Sequence, residues 1–155
     1  MIINKDSSIN EFTEIFDISE IKENKSILFD LVFWKKNKER VIKKNCNLGI
    51  KVSSDEPINE ILENLNLFKL INFNFISFKD GRPFSHARKI RENFKYKNII
   101  RASGDILPDQ YIFLLRCGFD SFEIKKNQLK TWRNILKKNL ECYYQYTESE
   151  TKKTR

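Results

Sequence analysis

Residues 73–124 run FNFISFKDGRPFSHARKIRENFKYKNIIRASGDILPDQYIFLLRCGFDSFEI, and they hold the side chains whose types and spacing could do chemistry. Five of the chain's eight arginines (Arg82, Arg88, Arg91, Arg101, Arg116) fall here, with three of its four glycines (Gly81, Gly104, Gly118). Gly81, Arg82, Ser85 and Arg88 open a predicted helix, where first-turn amides and the helix dipole favour a bound oxyanion and guanidinium groups supply paired donors. Asp105, in the turn permitted by Gly104, and Asp109 are the candidates for proton transfer. Both serve equally well as acids at the start of a helix. Asp80, Arg91, Arg101, Gly104, Gln110 and Arg116 form the expected structural network around them.

At about 100° per residue, the helix expected over 83–94 buries Phe84, Ala87, Ile90 and Phe94. Arg91 falls inside that apolar arc and Arg88 at its edge, while His86 and Lys89 point to solvent. A guanidinium in an apolar arc requires a partner. Asp80, Asp105 and Asp109, at the ends of neighbouring strands, are the expected ones. Cys117, on an apolar helix ahead of the expected left-handed cap at Gly118, reads as core packing.

Five strand–helix alternations must position these residues. Strands are expected at 27–30, 48–53, 70–78, 98–102 and 121–124, from short β-branched and aromatic runs. Helices are expected over 31–45, from Pro57 to Leu65, over 83–94, over 108–117 and after Asn127. The fold class is α/β: about five β-α units in a mostly parallel sheet, open or part of a β/α barrel, in one domain. Residues 1–25 are expected as a strap, with Ile15, Phe16, Ile18 and Ile21 as a short strand or cover. Residues 26–140 form the α/β domain and 141–155 a flexible tail. In either architecture the KDGR and SGDI loops follow the carboxyl ends of strands, where ligands bind in parallel sheets.

Composition narrows the function classes. A chain of 155 residues is about one domain, and its 40% hydrophobic and 13% aromatic content suits a buried core. No apolar run approaches the roughly 20 residues that cross a bilayer, and the N-terminus lacks a signal-peptide pattern, so a cytoplasmic location is expected. The net charge of +8 invites a nucleic-acid reading, but 21 Lys, 20 Ile and 16 Asn are what A- and T-rich codons produce. The only lysine cluster, Lys35, Lys36, Lys38, Lys43 and Lys44, fits a solvated helix face. Three separated cysteines and the single His86 supply neither a disulfide framework nor a metal-ligand set. GxGxxG and the phosphate loop GxxxxGK[ST] are both absent, which leaves any cofactor unassigned.

The central stretch resembles the family called domain of unknown function 934. That family's pattern is F-x-D-G-R-x-[FY]-S-x-A-R-x-[LI]-R, then R-A-x-G-D-[VI]-L-x-D-Q, then R-x-G-F-[DN]-x-F. The chain has FKDGRPFSHARKIR at 78–91, RASGDILPDQ at 101–110 and RCGFDSF at 116–122. Weaker similarity extends over most of residues 26–146. Pro83 and Pro108 depart from a usual glycine and arginine, and Lys95 and Asn98 replace the glycines of a G-Y-x-G turn. Asn98 is the residue expected to keep that turn left-handed.

The resemblance implies a place in bacterial assimilatory sulfite reduction, where the family is described as an oxidoreductase. Two expectations follow. One is an accessory protein with an oxyanion-receptive site at the DGR and GD loops, whose basic surface steers it to sulfite reductase or its electron donor. The other is a small oxidoreductase or sulfur-oxyanion-processing enzyme, with Arg82, Ser85 and Arg88 on the anion and Asp105 or Asp109 handling protons.

Overall fold

The computed structural model describes residues 2–4 and 12–138. The expected tail 141–155, with Cys142, lies outside them. The strands are β1 (Ile2–Asn4), β2 (Thr13–Glu14), β3 (Ser26–Asp30), β4 (Asn47–Ser53), β5 (Phe68–Phe75), β6 (Ile99–Gly104) and β7 (Ser121–Glu123). The α-helices are α1 (Leu31–Ile42), α2 (Asn59–Leu62), α3 (Arg82–Phe94), α4 (Tyr111–Arg116) and α5 (Leu129–Lys138).

The described strands form one sheet in the order β1-β7-β6-β5-β4-β3-β2. From β2 to β7 all pairings are parallel, and β1 closes the β7 edge antiparallel. The expected α/β class therefore holds, as an open, curled sheet rather than a closed barrel. The first 25 residues supply β1 and β2 at opposite sheet edges, while Ile15 is buried and Phe16 exposed.

This strand order decides what each face of the sheet can be. Parallel crossovers are right-handed, so strands that succeed one another in a single direction put their helices on one face. That outer face carries Phe29, Ile50, Val52, Ile71, Phe73, Phe75, Ile100, Ala102 and Phe122, all fully buried under the helices. Trp34 of α1 meets Phe29 and Phe68, Phe84 of α3 meets Phe75, and Trp132 of α5 meets Phe122 and Tyr111.

The inner face is different. Register partners across parallel strands point to the same side, so Lys51, Asn72, Arg101 and Ser121 form one row across β4, β5, β6 and β7. Ser53, Asn74 and Ser103 form a second row nearer the carboxyl ends. Leu28 and Leu70 are buried on this side, apart from the main core. Gly49 leaves room for the Phe12 ring, which sits where a Cβ would be.

Two helices differ from expectation. The segment after Pro57 gives only one α-helical turn (Asn59–Leu62), followed by a 3-10 turn at Leu65–Leu67. Its capping residues are spent locally, since Glu56 accepts from the Ser53 amide. At the end of α3 the left-handed residue is Lys95 (φ 52°), not Asn98. Asn98 instead donates its side-chain amide to the Phe68 carbonyl at 3.0 Å.

Candidate functional site

The loops after β5 and β6 lie side by side at the carboxyl rim, and the expected site residues hold them together. Gly104 (φ 84°) turns the chain where a Cβ would overlap the Phe75 carbonyl, and the Asp105 amide then donates to that same oxygen at 2.9 Å. The Asp105 carboxylate accepts from the Phe78 amide at 3.2 Å. Gln110 closes the junction from both ends: it accepts from the Leu107 amide at 3.0 Å and donates to the Phe78 carbonyl at 2.8 Å. Asp80 and Asp105 thus share one rim. Asp109 sits exposed in the 3-10 turn Pro108–Gln110.

Asp80 occupies the helix start that the sequence reserves for an anion. Its carboxylate accepts from the Arg82 amide at 3.1 Å and takes a two-pronged bond from the Arg82 guanidinium, at 2.9 Å to Nε and 2.7 Å to Nη2. Arg82 and then Ser54 hold this carboxyl well below the usual carboxylate range. The chain's own anion therefore meets the dipole and the cation of the first turn. Gly81, the N-cap, has ordinary helical geometry and open space at its Cβ position. Ser85 is exposed, and its amide is turned to the Gly81 carbonyl at 3.5 Å. Arg88 lies further along α3 and pairs with Glu92 at 2.7 Å, so the structure does not bring it to Arg82.

Arg91 corrects the partner expected for it. None of Asp80, Asp105 and Asp109 binds it. Arg91 reaches the opposite rim, where it pairs with Asp120 and donates to the carbonyls of Gly118 (2.9 Å), Tyr96 (2.5 Å) and Asn98 (2.8 Å). The reason is helical rise: nine residues beyond Arg82, at about 1.5 Å each, carry it roughly 13 Å along α3. Gly118 (φ 97°) is the left-handed cap expected, and a Cβ there would strike the Arg91 side chain. Tyr96 lies 5.6 Å from the guanidinium and donates its hydroxyl to the Phe68 carbonyl.

Four more residues complete the placement. Arg116 is the half-buried last residue of α4. Arg101 leaves the rim altogether: it stands on the inner face, 3% exposed, with Nε donating to Ser121 Oγ at 3.1 Å. His86 does not face solvent as expected. Its ring lies 6.1 Å from Phe73, Nδ1 is buried with no partner among the described residues, and burial lowers its pKa. Cys117 is buried as expected, and burial pushes its thiol up.

The residues missed by reading the sequence are those of the inner rows: Lys51, Asn72, Asn74, Ser103 and Ser121. Their signal is polar residues at alternate positions of IKVS, INFNF and IRASG, although strands buried on both faces read as continuous apolar runs. Asn72 is 1% exposed, and neither end of its amide has a hydrogen-bond partner among the described residues.

Fold and rim together define a one-sidedly wound α/β protein with a braced loop pair beyond the carboxyl ends of β5 and β6. The chain belongs to the family of bacterial proteins of unknown function DUF934, which matches residues 49–154, from β4 onward. No curated protein and no solved structure matches it. Among the described residues, no helix is long and apolar enough to cross a membrane.

Proposed function

We propose that this chain is an accessory protein of assimilatory sulfite reduction, which docks through the DGR/GD rim onto sulfite reductase or its electron donor. The pathway comes from the family resemblance. The docking reading is carried by one observation: the polar residues of the rim are spent on bracing the loop that follows β5. Asp105 and Gln110 grip Phe78 from both sides, and Asp80 engages Arg82. What the braced loop presents is Ile76, 57% exposed, and Phe78, 39% exposed, with Lys79 over the Phe78 ring. Exposed aromatic and cationic groups held rigidly are what interface centres are built from. A basic chain suits an acidic redox partner.

The enzymatic alternative asks more of the same atoms. An oxyanion at Arg82 competes with Asp80 for Nε and Nη2, one at Arg88 competes with Glu92 for Nε, and one oxygen of Asp105 is already held by the Phe78 amide. The test is retention of the purified protein on immobilised sulfite reductase or its electron donor at low salt. Phe78→Ala should weaken retention about tenfold or more, as for a buried aromatic anchor, and added salt should weaken it further. Equal retention of parent and variant, or no retention of the parent by either partner, contradicts the proposal.

A further inference from the structure

The inner face of the sheet carries a buried amide with no hydrogen-bond partner among the described residues, Asn72, beside a buried guanidinium, Arg101, with one. Arg101 is 3% exposed, and among the described residues no carboxylate pairs with it; its one hydrogen bond there runs from Nε to Ser121 Oγ. Burial pulls its pKa down, and the nearby Glu123 offsets this only in part. Its register neighbour on β5 is Asn72, whose Oδ1 and Nδ2 are both orphaned. On the other side of Asn72 stands Lys51, whose ammonium is already bound by Glu14 at 2.8 Å. Ser103, one step towards the carboxyl end from Arg101, is 2% exposed, and its hydroxyl makes only 3.5 Å contacts with Phe73 O and Asn74 Oδ1.

Each feature alone is costly to fold: a buried cation without a counter-ion and a buried amide without partners are the two most heavily penalised polar states of a core. They stand on adjacent strands, about 4.8 Å apart across the sheet. We propose that Arg101 and Asn72, with the Ser103 hydroxyl, form a binding site for a small oxyanion that keeps at least one proton. The charge answers the guanidinium, the bare oxygens accept from Arg101 and Asn72 Nδ2, and the ligand's O–H donates to Asn72 Oδ1. A fully deprotonated dianion satisfies the cation but leaves Asn72 Oδ1 facing a second acceptor. Dihydrogenphosphate and hydrogensulfite belong to the favoured class and sulfate does not. This site is separate from the rim, so the docking reading can fail without touching it.

The experiment is thermal and calorimetric titration near pH 6 of the full chain, freed of anions by dialysis from denaturant, with dihydrogenphosphate, hydrogensulfite and sulfate. The parent should bind one equivalent of a protonated oxyanion, with a rise in Tm, and sulfate about tenfold or more weakly, as for loss of one buried hydrogen bond. Asn72→Leu removes the orphaned amide, so it should melt at or above the parent in anion-free buffer and lose the anion-dependent rise. Arg101→Met should refold and lose the rise as well, and a variant that fails to refold counts against the proposal. The proposal is overturned if the parent binds none of the anions, as when another group of the chain answers Arg101. It is equally overturned if Asn72→Leu keeps the parent's affinity, or if sulfate binds as well as the protonated anions.

Discussion

Arg91 and Arg101 are both drawn out of water by this fold, and they end in opposite conditions. Arg91 reaches the amino-terminal rim and meets Asp120 and three backbone carbonyls, with the Tyr96 ring beside it. Asp120 also accepts from the Ile100 amide at 3.1 Å, so one ion pair ties α3, β6 and the start of β7 together. Arg101, on the inner face of β6, has one serine as its hydrogen-bond partner among the described residues. A saturated guanidinium is a structural rivet, whereas an unsaturated buried one is stability set aside for something else. Arg82 stands between them: exposed at its tip, yet paired with the carboxylate of its own loop.

Removing the rivet should have the largest effect. Arg91→Ala leaves Asp120 and three carbonyls without their donor at a partly buried rim, and should cost about 3 kcal/mol in denaturant unfolding. For a chain of this size that is on the order of 10 °C in Tm. A loss no larger than that of an ordinary surface substitution breaks the contrast at its strong end.

His86 probes an intermediate case, a half-buried ring with one orphaned nitrogen. Its folded pKa is depressed by burial, then by Lys89 and Arg82, so the unfolded chain binds the proton more readily. Stability is therefore complete above the unfolded value of about 6.5 and falls as pH drops below it, towards the folded value. His86→Leu should flatten the stability profile between pH 7 and pH 5, and an unchanged slope would show that other groups carry it. The smallest effect is at Lys95, a non-glycine residue in the left-handed region that closes the helix bearing Arg91. Lys95→Gly should stabilise the chain by about 1 kcal/mol. A loss instead would mean that the lysine side chain contributes more than its strained backbone costs.

Much of this was legible in the sequence, and the gaps have physical causes. The strands β3 to β7 announce themselves as short apolar runs between amphipathic stretches, and right-handed crossovers then make an α/β sheet. That the sheet stays open is a property of edges and curvature, which no single strand encodes. The apolar arc of α3 shows that Arg91 needs a partner. It does not reveal which rim the side chain reaches, although the rise along the helix does. Asp80 and Asp105 read as site acids because their place after the strands was visible, while their partners were not: Asp105 bonds an amide 27 residues away. The inner rows stayed hidden for a related reason. Alternation marks Lys51, Asn72 and Arg101 one strand at a time, but only register puts them on a single line.

The claim that Arg101 is held buried for a ligand rather than for the fold is tested most directly by denaturant unfolding of Arg101→Met in anion-free buffer. Taking away an unanswered buried charge should leave the protein as stable as the parent or more so. A loss approaching that of Arg91→Ala would contradict this, and would make Arg101 a second rivet.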